Sequence, residues 1–207
     1  MEFLASLRAE RLLGILRDAP AASLPDLAMV VREVGLRFLE VAMNTPDALA
    51  QISALRAHLD GICLIGAGTV LGASQARDAV AAGATFLVSP CFSKPVQDFA
   101  DEHGIPTLPG ALTPSEVWNA HRDGATIVKI FPAKSAGGPS YIKELRGPFK
   151  SVPLLACGGV NAENASEYIL AGADALAFGG SVFAPSRLAR GDFDAIRTDL
   201  AALRKAC

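Results

Sequence analysis

The stretch "HRDGATIVKIFP", residues 121–132, decides the fold of this chain. It opens with helix-like residues, stops at Gly124, and continues as Thr126, Ile127, Val128, Ile130 and Phe131, all good strand formers. A glycine at that point is where a helix ends in a left-handed residue. The same phrase recurs as "VREVGLRFLEV" (31–41), "DAVAAGATFLVSP" (78–90), "ADEHGIPTLPG" (100–110) and "YILAGADALAFGG" (168–180). Each is a helix stop followed by an apolar run of strand length. Strands are expected at 12–17, 37–43, 63–68, 86–89, 106–109, 126–131, 153–157 and 175–179. Their ends fall near Arg17, Asn44, Thr69, Pro90, Gly110, Pro132, Gly159 and Ser181, spaced 20 to 27 residues apart. That spacing holds one strand and one helix, eight times over.

Eight such steps make either a closed barrel or an open doubly wound sheet. No step carries a long insertion, and the first strand-to-helix turn, "ILRDAPAAS", lacks a glycine-rich dinucleotide fingerprint. The expectation is therefore an α/β fold, a single (β/α)8 TIM barrel over residues 1–207, at the small end for the class. The opening "MEFLASLRAERLLGILR" mixes charges among its apolar residues. It reads as an additional N-terminal helix followed by a strand, not as a signal peptide.

Composition narrows the partners. Apolar residues make up 51% of the 207 and aromatics 6%, which suits an aliphatic core with buried parallel strands. A net charge of −2 offers no basic field for nucleic acid or anionic membranes, and no apolar run is long enough for a membrane span. Cys63, Cys91, Cys157 and Cys207 are scattered, with no CxxC pair, as in a cytoplasmic protein with reduced thiols. His58, His103 and His121 read as cations near helix C-termini. No metal site is expected.

In a barrel of this kind the chemistry sits at the C-terminal ends of the strands. Lys129 lies inside the apolar sixth strand, flanked by Val128 and Ile130. One reading is a lysine whose stem is buried and whose amine reaches the rim. The other is a Schiff-base nucleophile, for which burial is useful because it disfavours the charged form of an amine. Glu40, between Leu39 and Val41 on the second strand, is equally out of place. It reads as a proton carrier with a raised pKa, or as an ion-pair partner for Lys129 or a buried arginine. The last two strand ends carry "ACGGVNAEN" and "AFGGSVFAP". Gly158, Gly159, Gly180 and Ser181 are placed to bind a phosphate through backbone amides and one hydroxyl. Arg17, ending the first strand, is a partner for a substrate anion.

The motifs "LEVAMNTP", "IGAGTVL", "VSPCF", "PGALTPSE", "VKIFPA", "CGGV" and "GGS" occur in this order within residues 14–183. Together they resemble the class I aldolases that cleave 2-keto-3-deoxy-6-phosphosugar acids, the KDPG and KDPGal aldolases. The resemblance implies a small barrel, a homotrimer, no metal and no cofactor. It implies that Lys129 forms an imine with the C2 ketone, that Glu40 shuttles protons, and that Thr69 and Pro90 line the pyruvate part of the site. It also implies that the four loop residues hold the phosphate. Asn44 stands where members acting on the gluconate-derived sugar carry arginine, so the chain looks like the galactonate-derived subgroup. Cys157 replaces a threonine common ahead of the first glycine pair. The expected reaction is cleavage of 2-dehydro-3-deoxy-6-phosphogalactonate to pyruvate and D-glyceraldehyde 3-phosphate. The alternatives are the gluconate-derived epimer, a barrel isomerase, which needs no buried lysine, and a phosphosugar sensor, which needs no Lys129–Glu40 pair.

Overall fold

The structure, a computed structural model, describes residues 2–207. Helix α1 (Glu2–Glu10) precedes a chain of alternating strands and helices. The strands are β1 (Leu12–Leu16), β2 (Phe38–Ala42), β3 (Leu64–Gly68), β4 (Leu87–Val88), β5 (Thr107–Leu108), β6 (Gly110–Ala111), β7 (Val128–Ile130), β8 (Leu154–Cys157) and β9 (Ala175–Phe178). Their order in the sheet is β5-β4-β3-β2-β1-β9-β8-β7-β6, and all pairings are parallel.

Segments β5 and β6 are two halves of one strand, parted at Pro109. Proline lacks the N–H that a ladder needs, so the regular pairing breaks there. The carbonyls still serve. Pro109 O accepts from Lys129 N at 2.9 Å, and Thr107 O accepts from Thr126 N at 3.0 Å. These bonds carry the broken strand across to β7 and bring the ends of the sheet together. The chain thus forms the expected (β/α)8 barrel with an added N-terminal helix, and the ninth segment is the product of one proline.

The expected helix stops hold. Gly35, Gly83, Gly104, Gly124 and Gly172 all have positive φ, between 65° and 105°. The "LTPSE" part of the fourth motif has a local explanation too. Thr113 caps the helix Pro114–Arg122, accepting from Glu116 N at 3.3 Å, while Glu116 Oε2 accepts from Thr113 N at 2.8 Å.

Alternation along each strand sorts the core into two layers. Leu39, Val41, Val128, Ile130, Leu154 and Ala156 face outward to the helices. Leu13, Phe38, Phe86, Leu108, Ile127 and Leu155 fill the barrel interior. Glu40 lies two residues beyond Phe38, and Lys129 two beyond Ile127, so both point inward. The wide apolar layers exclude water from that interior.

Helix α1 closes the N-terminal end of the barrel. Leu7 is fully buried among the interior side chains. The Phe3 ring centroid lies 5.3 Å from those of both Phe38 and Phe86. Asp174 pins the helix from outside, accepting from Arg8 Nε and Leu154 N while pairing with Arg146. Leu7→Ala should leave a cavity in this plug and lower stability by about 2–5 kcal/mol, read from the urea unfolding midpoint at unchanged m-value.

Candidate active site

The C-terminal strand ends bring the predicted residues to one mouth. Arg17 follows β1, Asn44 follows β2 and Thr69 follows β3. One guanidinium ties the three: Arg17 Nη1 donates to Asn44 Oδ1 at 2.8 Å, and Nη2 to Thr69 Oγ1 at 3.4 Å. Thr69 holds a left-handed backbone, φ 60°, which costs a threonine some strain and aims its hydroxyl at the arginine. Pro90, after β4, packs its carbonyl against Gly110. A Cβ at Gly110 would lie 2.0 Å from Pro90 O, so only glycine permits this approach.

Glu40 and Lys129 lie deeper, 2% and 6% exposed. Glu40 sits between Ile15 on β1 and Gly66 on β3 in register. Its carboxyl lies over Gly68, where a Cβ would come within 2.3 Å of Oε1. Oε2 is buried without a hydrogen-bond partner among the described residues. Burial raises the Glu40 pKa above its ordinary value of 4.5, against the smaller pull of Lys129 and Arg17. Among the described residues Glu40 makes no ion pair within 4 Å, so the static salt-bridge reading of this residue is not what the fold shows. The Lys129 amine instead lies 5.2 Å from the centroid of the Phe131 ring and beside the Cys157 thiol.

Cys157 thus faces the interior next to the lysine. Burial pushes its thiol pKa up, against Lys129's opposing pull, so it stays an uncharged neighbour. The substitution for threonine removes a hydroxyl without adding a negative charge.

Next to this pair, past Phe131 and Cys157, opens a cleft of about 470 Å³ whose wall also carries Arg17, Lys134, Gly158, Gly159, Gly180 and Ser181 but neither Glu40 nor Lys129 itself. Gly158 and Gly159 have φ 101° and 80°, a turn closed to other residues without strain. The N–H groups of Gly159, Gly180 and Ser181 make no hydrogen bond among the described residues, so they remain as donors. The Ser181 hydroxyl donates to Val160 O at 2.9 Å. Its single proton is engaged there, and it would have to turn before donating to an anion.

Sequence reasoning missed Gly68 as the seat of Glu40, Phe131 as the neighbour of Lys129, and Lys134 and Asp18 in the cleft wall. Phe131 was findable, since two residues along a strand share a face. Among the described residues no cluster of three or more His, Cys, Asp or Glu side chains is placed to hold a metal ion, and no helix is long and apolar enough to cross a membrane.

Comparison with known proteins gives this mouth a context. The family model described as KDPG and KHG aldolase matches residues 4–198. A 2-dehydro-3-deoxy-phosphogluconate aldolase of Treponema pallidum is 38% identical over 171 residues, covering 82% of this chain and 80% of the relative. A probable 2-dehydro-3-deoxy-6-phosphogalactonate aldolase of Rhizobium meliloti is 33% identical over 175 residues, covering 84% and 82%. Among solved structures, KDPG aldolase from Legionella pneumophila, with pyruvate captured as a covalent carbinolamine, superposes with a TM-score of 0.89 at 28% identity and 97% coverage of both chains. A native KDPGal structure gives 0.86 at 31% identity, covering 94% of this chain and 93% of the other.

Proposed function

The chain belongs to the KDPG and KHG aldolase family, and from that premise we propose that it cleaves 2-dehydro-3-deoxy-6-phosphogalactonate through a Schiff base on Lys129. That it is a class I aldolase, a carbon–carbon lyase, comes with the family. The observation carrying the residue assignment is the pair of ionisable groups, Lys129 and Glu40, buried in the barrel interior, with Lys129 beside Phe131 and Cys157 in the wall of a cleft with anion-binding features.

The chemistry follows from their placement. The Lys129 amine adds to the C2 ketone, and loss of water leaves an iminium that draws electrons from the C3–C4 bond. The C4 hydroxyl gives its proton to Glu40, the bond breaks, and glyceraldehyde 3-phosphate departs. Glu40 then returns a proton to C3 of the enamine, and water releases pyruvate. A carboxyl with a raised pKa suits both directions of transfer. Arg17, held by Asn44 and Thr69, faces the substrate carboxylate, and Pro90 borders the pyruvate end. The amides of Gly158, Gly159, Gly180 and Ser181 receive the phosphate, so that binding remote from the bond positions the reacting carbon. A homotrimer belongs to the same reading, and sedimentation equilibrium reads it directly as three chains per particle.

The galactonate-derived epimer is preferred on the strength of Asn44. Its side-chain oxygen accepts from Arg17, which leaves its amide N–H groups as short neutral donors just past the strand that carries Glu40. An arginine there is longer, charged and unable to accept. It would also place a second guanidinium against the first. One hydrogen bond discriminates by on the order of 1–2 kcal/mol, so the galactonate-derived substrate should lead by about tenfold to thirtyfold in kcat/KM. Asn44→Arg should shift the ratio toward the gluconate-derived sugar. The Treponema pallidum relative is named for that sugar, which favours it as the second reading. Assays of both epimers on both proteins decide: a wild-type lead for the gluconate-derived sugar overturns the substrate choice and leaves the aldolase family intact.

A further inference from the structure

We propose that Lys134 is a specificity-determining residue, the side-chain cation that selects a phosphorylated over an unphosphorylated substrate. The inference rests on the reading of the glycine loops as the phosphate end of the site. The cleft wall carries two cations, Arg17 and Lys134, and one acid, Asp18. Arg17 is bound to Asn44 and Thr69 on the side of the first three strands. Lys134 belongs to the opposite side, in the loop that follows β7. Its N–H donates to Gly158 O at 3.1 Å. Its stem lies flat across Gly159, where a Cβ would come within 2.6 Å of Lys134 Cδ and 2.7 Å of its Cβ. Gly159 is therefore required twice, once for its φ and once as the bed on which this side chain lies.

The ammonium makes no ion pair among the described residues. Without it, the charges of Arg17 and Asp18 cancel, and a phosphate dianion meets only backbone N–H groups in a wall that carries a carboxylate. With it, the wall is positive on the side of the glycine loops. A lysine acts there as a flexible point charge, so it senses the charge of the ligand more than its shape.

Calorimetric titration with glycerol 3-phosphate tests this, together with cleavage of the phosphorylated sugar acid and of the same sugar acid without its phosphate. Lys134→Gln keeps much of the stem over Gly159. Affinity for glycerol 3-phosphate should fall about threefold to tenfold at low ionic strength. The ratio of kcat/KM for the phosphorylated over the unphosphorylated substrate should fall by a similar factor. Lys134→Arg should restore most of both, and Lys134→Glu should fall below the glutamine variant. Added salt screens an exposed charge, so the wild-type advantage should narrow as ionic strength rises. Unchanged affinity and an unchanged ratio overturn the proposal. So does an equal loss on both substrates, which marks damage to the glycine loop. Should neither sugar acid be cleaved, the aldolase assignment is what fails, and the glycerol 3-phosphate titration still decides Lys134 by itself.

Discussion

Incubation with pyruvate and borohydride should add one reduced pyruvyl group to the chain, and peptide mass mapping should find it on Lys129. The expectation is sharp because the six lysines differ so plainly. Lys94, Lys134, Lys143, Lys150 and Lys205 are exposed, while Lys129 is buried in the barrel. Lys134 borders the cleft but is open to solvent, whereas Lys129 is enclosed in the barrel beside Phe131 and Cys157, both of which line the cleft. Lys129→Arg should bring turnover below detection, since a guanidinium stays protonated and cannot form an imine. The circular dichroism spectrum should stay that of wild type, because the outward-facing neighbours Val128 and Ile130 keep their packing. Label on any other lysine, or none, removes the Schiff-base assignment.

Glu40→Gln should lower both sugar-acid cleavage and exchange of the pyruvate methyl protons by roughly 10²–10⁴-fold, the usual worth of a positioned acid–base group. Exchange into deuterated water at the wild-type rate would show that another group moves the proton. The same variant should be more stable than wild type at neutral pH. Burial raises the Glu40 pKa, so above its unfolded value the native state holds a proton that the unfolded chain has released. Wild-type stability therefore falls as pH rises from about 4.5 through the folded pKa, and glutamine escapes that loss. The gain of Glu40→Gln should be present at neutral pH and shrink toward zero below the unfolded pKa. Equal stability of the two proteins across that range would mean that the buried carboxyl carries no penalty.

The fold was legible because its period is written in glycines and apolar runs. Gly35, Gly83, Gly104, Gly124 and Gly172 stop helices in the sequence as they do in space. What escaped was the break at Pro109, since an apolar run with a proline near its end does not say which carbonyls remain in the ladder. Glu40 and Lys129 stood out as charges in apolar strands, and alternation alone set their direction. The contacts around them were not readable. That Glu40 lies on Gly68, or that the Ser181 hydroxyl is engaged by Val160, depends on approaches between strands that one-dimensional spacing does not encode. Lys134 was hidden for the opposite reason: an exposed lysine in a loop looks like any solvated surface residue.

Helix α1, with Phe3 and Leu7 set against Phe38 and Phe86, makes the barrel a vessel with one opening. Water that reaches Glu40 and Lys129 must come by the route the substrate takes, and a bound sugar acid stands in that route. On the proposed mechanism the interior around Glu40 and Lys129 would be cut off from bulk solvent while substrate is bound. In that mechanism the proton that Glu40 takes from the C4 hydroxyl would then be the one at hand for C3 of the enamine, and the departure of the aldehyde, by reopening the mouth, would admit the water that frees pyruvate. A helix on the far side of the barrel from the proposed chemistry would in this way set the order in which protons and water arrive.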